Sequence, residues 1–291
     1  MCLMDAVIIG NRRAGGAGDE DRLKRCAAVL REHGVEAEVW ATEYPEHATE
    51  LATRAGERLV IAAGGDGTVN EVVNGISGDA TLAVLPLGTA NVLAREIGMP
   101  RKTENACRRI AAGETFRMDL GIATSRDGTE RRFTCMAGIG FDANVVKEVN
   151  PGLKKRLKSA AFPLAAFKVY LESDLPTLNL HYGDEVYRTQ FAVVANSHYY
   201  GGEFQMLREG SLTSGELEVV LIERVSLLLR PDLMARILSR RPLTGSLKSF
   251  STTEFTARAP GAHVPVQLDG EVWGRLPMTF RVAPAALKIV R

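Results

Sequence analysis

The chain has 291 residues, 45% of them hydrophobic, which is enough for one large domain or two modest ones. Its 36 Lys and Arg nearly balance 35 Asp and Glu, and no aromatic-basic stripe runs through it, so the composition argues against a nucleic-acid binder. Four widely separated cysteines without a C-x-x-C pair read as free thiols in a reducing cytoplasm. The five histidines have no metal spacing, the N-terminus has no signal-peptide pattern, and no window holds 18 uncharged apolar residues.

Residues 5–10 predict a strand, followed by the glycine-rich turn Asn11-Arg12-Arg13-Ala14-Gly15-Gly16-Ala17-Gly18. Gly16-Ala17 stand where a P-loop needs Lys and Ser or Thr, so this is not a P-loop. Arg12 and Arg13 offer planar paired donors to phosphate oxygens; the plainer reading is two exposed cations on a loop. A helix over 19–33, a strand over 35–41 and a helix over 46–55 follow.

Residues 59–63 predict a buried strand that stops at Gly64-Gly65. Asp66, Gly67 and Thr68 lead into a helix with Val69, Val72, Val73 and Ile76 on one side, and Thr68 is placed to cap it. Strand, glycine turn and helix start together make a phosphate site, because the backbone approaches the ligand closely and the helix dipole faces it. A carboxylate there is repelled by phosphate unless a bridging Mg²⁺ or a proton to abstract justifies it. Asp66 therefore points to phosphoryl transfer; the alternative is a tight turn with Asp66 as an ordinary cap.

The pattern repeats. A strand over 81–85 ends at Pro86-Leu87-Gly88-Thr89-Ala90-Asn91, and a helix over 92–97 stops at Gly98. Two such units in series put both polar loops at one end of a parallel sheet, where open α/β sheets bind ligands. Thr89 and Asn91 suit phosphate or ribose, or serve as caps. A helix over 102–112 completes an α/β domain spanning 1–122.

From 123 to 291 the pattern is mostly antiparallel β, a sandwich or closed sheet, with the last strand free to return to the first domain. Strands are expected over 116–123, 132–137, 177–182, 186–195, 217–222, 250–257, 264–268 and 278–282. A helical stretch with a basic edge covers 145–170, and a helical insert covers 231–240. Gln267-Leu268-Asp269-Gly270-Glu271 reads as an Asp-Gly hairpin with Glu271 opening the next strand. In the other reading it is a turn that presents Glu271 as a base or metal ligand.

The GGDGT run at 64–68 and LPLGTAN at 85–91 resemble the diacylglycerol kinase catalytic family, the lipid-kinase group that includes sphingosine and ceramide kinases. Similar motifs stand in order along the chain: Asn11 with its glycine-rich turn, Gly138 to Ala143, Asn196 with Gly201-Gly202, Gly215 to Val219, and Leu268 to Glu271. The resemblance implies a parallel α/β domain of the NAD kinase and diacylglycerol kinase type beside a β-sandwich. It implies ATP bound by Asn11, Arg12, Thr42, Gly64, Gly65, Asp66, Gly67, Thr68, Asn70, Gly88 and Thr89. It further implies Glu271 as proton acceptor, Asp66 as the essential carboxylate, and Mg²⁺ carried with ATP. Two departures stand out. Arg12 replaces a proline, and Ser214 replaces an aspartate that helps bind an accessory Mg²⁺ near Gly215 and Glu216.

The expected activity is transfer of the γ-phosphate of MgATP to a primary hydroxyl of a membrane lipid such as diacylglycerol, ceramide or a sphingoid base. The enzyme is expected to be cytoplasmic and peripherally membrane-associated, docked by Lys154, Lys155, Arg156 and Lys158 or by the segment 227–243. The rivals are an NAD kinase-like phosphotransferase and a nucleotide- or lipid-binding regulator without turnover.

Overall fold

The computed structural model describes residues 4–11, 19–141, 143, 176–200, 204–205, 211–224, 247–261 and 263–291. Arg12 and the turn after it, the stretch 145–170 and the insert 231–240 lie outside them, and with these the expected membrane-docking segments. The chain divides into two compact units, Met1–Leu120 with Pro284–Arg291, and Gly121–Ala283.

The first unit contains β1 (Met4–Asn11), α1 (Asp19–Glu32), β2 (Val35–Thr42), α2 (His47–Ala55), β3 (Leu59–Gly64), α3 (Asp66–Gly75), β4 (Thr81–Pro86), α4 (Val92–Glu96), α5 (Thr103–Ala112) and the start of β5 (Thr115–Ser125). Every residue of β3 is buried, as a strand covered on both faces must be. The strands pair in parallel in the order β2-β1-β3-β4. Helices α1 and α5 pack together on one face, and α2 and α3 on the other.

The second unit contains β6 (Glu130–Phe133), β7 (Met136–Gly140), β8 (Leu178–Tyr182), β9 (Glu185–Thr189), β10 (Phe191–Ala195), β11 (Tyr199–Tyr200), β12 (Phe204–Gln205), β13 (Leu217–Ile222), β14 (Lys248–Thr252), β15 (Glu254–Arg258), β16 (Pro265–Leu268), β17 (Glu271–Arg275) and most of β18 (Met278–Val290). One sheet runs β14-β13-β10-β7-β16-β17, antiparallel throughout. The other runs β18-β15-β8-β9, also antiparallel, with the β5–β6 hairpin beside β18. Phe133, Phe255 and Phe280 from this sheet share a core with Ile139, Val194, Val219 and Val266 from the first, so the unit is a β-sandwich.

The sandwich departs from the expected strands in a regular way. The run 186–195 is parted at Gln190 into β9 and β10, and 250–257 at Thr253 into β14 and β15. At each break the chain changes sheets, and a buried threonine spans the corner. Thr189 Oγ1 donates to the Phe191 carbonyl at 2.8 Å, and Thr252 Oγ1 to that of Glu254 at 2.8 Å. The run 132–137 is also parted, for a reason given below. The last strand runs on past Pro284 to Val290, and its final residues pair in parallel with β4. At its bend Ala285 has φ 49°, and its N–H donates to buried Asp119 at 2.7 Å.

Candidate functional site

Strand ends align along the carboxyl edge of the parallel sheet. Thr42 ends β2 beside Asn11, the last residue of β1; Gly10 pairs with Ala63, and Gly64 with Pro86. The register therefore brings Thr42, Asn11 and both glycine turns to one edge, the side where such sheets bind ligands.

In the first turn, extended Gly65 is the N-cap, and α3 begins at Asp66. Thr68 is thus inside the first helical turn and not the expected cap. Its side chain lies over Gly64, where an added Cβ would come within 2.4 Å of Thr68 Oγ1. No side-chain hydrogen bond caps this ten-residue helix, so its positive end suits an anion.

The second turn leans on the first. The N–H groups of Leu87 and Gly88 donate to the Gly64 carbonyl at 3.0 and 3.2 Å. An added Cβ on Gly88 would lie 2.4 Å from Gly65 Cα, so the turns touch through their glycines. Asn91, left-handed at φ 50°, braces its own turn: Oδ1 accepts from Gly88 N at 3.0 Å and Nδ2 donates to Gly88 O at 2.8 Å. Asp66 locks the two turns together. Its Oδ2 accepts the Asn91 N–H at 3.0 Å and its Oδ1 the Val92 N–H at 2.6 Å, so it caps α4. The carboxylate does act as a cap, but for the helix of the other loop.

The remaining expected contacts are spread around these turns. Gly67 is half-buried and Thr89 exposed. Asn70 is 1% exposed, and its side-chain and carbonyl oxygens accept from Asn74 Nδ2, so its side chain belongs to the interior. Helix α2 holds α3 from behind: Glu71 Oε2 accepts the Ala48 N–H at 3.1 Å, and Thr49 Oγ1 donates to Glu71 O at 2.9 Å.

In the second unit Asp269 and Gly270, at φ 49° and 89°, form the two-residue turn between β16 and β17. The Asp269 carboxylate takes four donors. Oδ2 accepts from Thr134 N at 2.7 Å and Thr134 Oγ1 at 3.0 Å; Oδ1 accepts from Cys135 N at 2.9 Å and Met136 N at 3.1 Å. These bonds hold Thr134 and Cys135 out of the strands and separate β6 from β7. Nothing in the sequence but the Asp-Gly pair signalled this anchor. Glu271 opens β17 opposite Leu268 and is exposed.

The turn at Ser214 is closed by its own hydroxyl. Ser214 Oγ lies 3.2 and 2.9 Å from the Ser211 and Glu216 carbonyls and accepts from Glu216 N at 3.3 Å. Among the described residues no group of three His, Cys, Asp or Glu is placed to hold a metal.

Residues 5–123 match the family model described as "Diacylglycerol kinase catalytic domain", and residues 135–291 the one described as "YegS C-terminal NAD kinase beta sandwich-like domain". A Pseudomonas aeruginosa protein named "Probable lipid kinase YegS-like" is 30% identical over 288 residues, covering 94% of this chain and 90% of that one. A diacylglycerol kinase of Staphylococcus saprophyticus is 28% identical over 290 residues, covering 94% and 91%. The crystal structure of a diacylglycerol kinase from Bacillus anthracis superposes with a TM-score of 0.81 at 20% identity, covering 100% of this chain and 98% of that one, which shows the shared fold.

Proposed function

From the premise that this chain belongs to the diacylglycerol kinase catalytic family and is an ATP-dependent lipid kinase, we propose that it transfers the γ-phosphate of MgATP to a primary hydroxyl of a membrane lipid, such as diacylglycerol, ceramide or a sphingoid base. The observation that carries the reading is the pair of touching glycine turns locked by Asp66 at the carboxyl edge of a parallel sheet.

In this proposal the uncapped start of α3 and the backbone of Gly64, Gly65, Gly67 and Thr68 receive the phosphates, with Gly88 and Thr89 on the other side. Asn11 and Thr42 extend the nucleotide site along the same edge, and Arg12, next in the sequence, supplies a cation for the phosphates. Asn70 supports the helix from inside. Mg²⁺ comes with the nucleotide and neutralises phosphate charge; Asp66, a hard oxygen donor at the turns, is the residue that suits it. Glu271 accepts the proton of the lipid hydroxyl. Most of the rate enhancement comes from positioning and charge neutralisation, as in other phosphoryl transfers.

Among the described residues no helix is long and apolar enough to cross a membrane. We place the enzyme at the membrane surface, docked from the aqueous side by the basic run 154–158 and the apolar residues after it. The test presents labelled ATP with each lipid in mixed micelles and follows label into the organic phase. Label should enter at least one lipid with a primary hydroxyl. Label that stays aqueous with every lipid, while ATP still binds, supports the non-catalytic regulator instead.

A further inference from the structure

A surface groove of about 530 Å³ lies in the second unit, lined by the β5–β6 hairpin, β15 and the start of β18. Phe255 and Ala257 of β15 and Met278 and Phe280 of β18 belong to the sandwich core, so Thr256, Arg258 and Thr279 alternate outward onto the groove. Thr256 and Thr279 are register partners, and their hydroxyls share one hydrogen bond at 3.1 Å. That leaves one hydroxyl hydrogen of the pair to donate outward. Strands β5 and β15 flank β18, and Arg126 enters the groove from the β5 side, on the hairpin turn.

The charge in the groove has one sign. Arg126 and Arg258 line it, and among the described residues no Asp or Glu does. Both arginines are exposed, and neither has a hydrogen-bond or ion-pair partner among the described residues. The carboxylates of the hairpin are already engaged. Asp127 accepts from Ser125 Oγ and from Thr129 N, the latter at 3.0 Å. Glu130 accepts from Thr124 Oγ1 at 3.2 Å and from Arg281 Nη2 at 3.1 and 3.2 Å. The Asp127 bonds also fix the turn, in which the Ser125 N–H donates to the Thr129 carbonyl at 2.9 Å. The backbone that carries Arg126 is therefore set before any ligand arrives.

We propose that this groove is a binding site for an organic phosphate. Two guanidiniums match the charge of a phosphate monoester, about −2 at neutral pH, and each offers paired planar donors to its oxygens. A single carboxylate would satisfy only one of them. The groove is larger than a phosphate, and Ala259, Pro260 and Pro277 give the organic part an apolar wall. The site stands apart from the Glu271 turn. The hairpin tip lies at the opposite end of β6 from Thr134, which Asp269 holds, and Pro277 lies beyond the opposite end of β17 from Glu271. The recognised chemistry is the phosphate monoester, carried by a soluble molecule or by a lipid headgroup.

The experiment takes the full chain, its nucleotide site filled with a non-hydrolysable ATP analogue and Mg²⁺, and titrates sn-glycerol 3-phosphate by calorimetry. Wild type should bind it at one site, more weakly as sodium chloride rises. Arg126→Gln and Arg258→Gln should each weaken binding roughly tenfold, and the double variant should give no binding heat while melting like wild type. Arg109→Gln, which removes an exposed arginine of the other unit, should bind like wild type. A second arm co-sediments the same proteins with phosphatidylcholine vesicles, with and without phosphatidate. Loss of phosphatidate-dependent sedimentation in the double variant identifies a lipid headgroup as the source. Loss of glycerol 3-phosphate binding with unchanged sedimentation identifies a soluble one. Equal binding of both probes by wild type and the folded double variant, or binding of neither probe by wild type, would overturn the proposal.

Discussion

Asp66 both locks the two glycine turns and stands where phosphate charge is expected. Replacing it with Asn keeps the size but sets a donor against one of two backbone donors, Asn91 N–H or Val92 N–H. Asp66→Asn should therefore abolish nearly all turnover and also cost about 1–3 kcal/mol of stability, read by urea unfolding. Wild-type turnover in a folded Asp66→Asn chain would remove Asp66 from the site. Gly88→Ala tests the packing of the second turn, because the new Cβ would press on Gly65 and on the Asn91 side chain. It should raise the KM for ATP roughly tenfold, about 1.4 kcal/mol, with a smaller change in kcat. Glu271→Gln should lower kcat roughly 10²–10⁴-fold at a nearly unchanged KM for ATP, the usual worth of a positioned base. If only the KM for ATP rises, Glu271 serves the nucleotide and the base lies elsewhere. The conspicuous residue types, Asp66 and the glycines, were visible in the sequence. Their partners were not, since the Asp66 bonds reach 25 and 26 positions along the chain and local spacing carries no sign of them.

At the scale of elements, the parallel unit was legible because the buried strands β3 and β4 end in glycine and proline and the helices that follow show one apolar side. The sandwich was less so. Its strands turn corners at Thr189 and Thr252 without glycine or proline at the break, held by bonds that only the folded chain shows. The same holds for the parting of β6 from β7, which depends on a carboxylate more than 130 positions away. Asp269→Ala should thus destabilise the chain by roughly 3 kcal/mol, since three backbone N–H groups and a hydroxyl lose a charged acceptor. An unfolding midpoint within error of wild type would show that water replaces the anchor. In the first unit, Gly75 lies where an added Cβ would come within 2.0 Å of the Thr49 carbonyl. Gly75→Ala should force α2 and α3 apart and lower the melting temperature, and Gly78→Ala, with open space around it, should not.

For the whole molecule, the motif order along the chain already resembled one family, and the matched models and relatives bear that out. The acceptor is another matter: selectivity among greasy alcohols depends on pocket shape, which no spacing of residue types encodes. Membrane docking belongs to this scale too. Replacing Lys154, Lys155, Arg156 and Lys158 with Gln should cut activity on anionic vesicles more than on a short-chain soluble lipid, and added salt should narrow the gap. Equal loss on both substrates would take this run out of the docking account. The most direct test of the central claim measures ADP release from MgATP with diacylglycerol micelles, with NAD⁺ and with no acceptor, using wild type and Asp66→Asn side by side. The account predicts release that depends on lipid and on Asp66, and none above background with NAD⁺. Release that follows NAD⁺ and ignores lipid would contradict it.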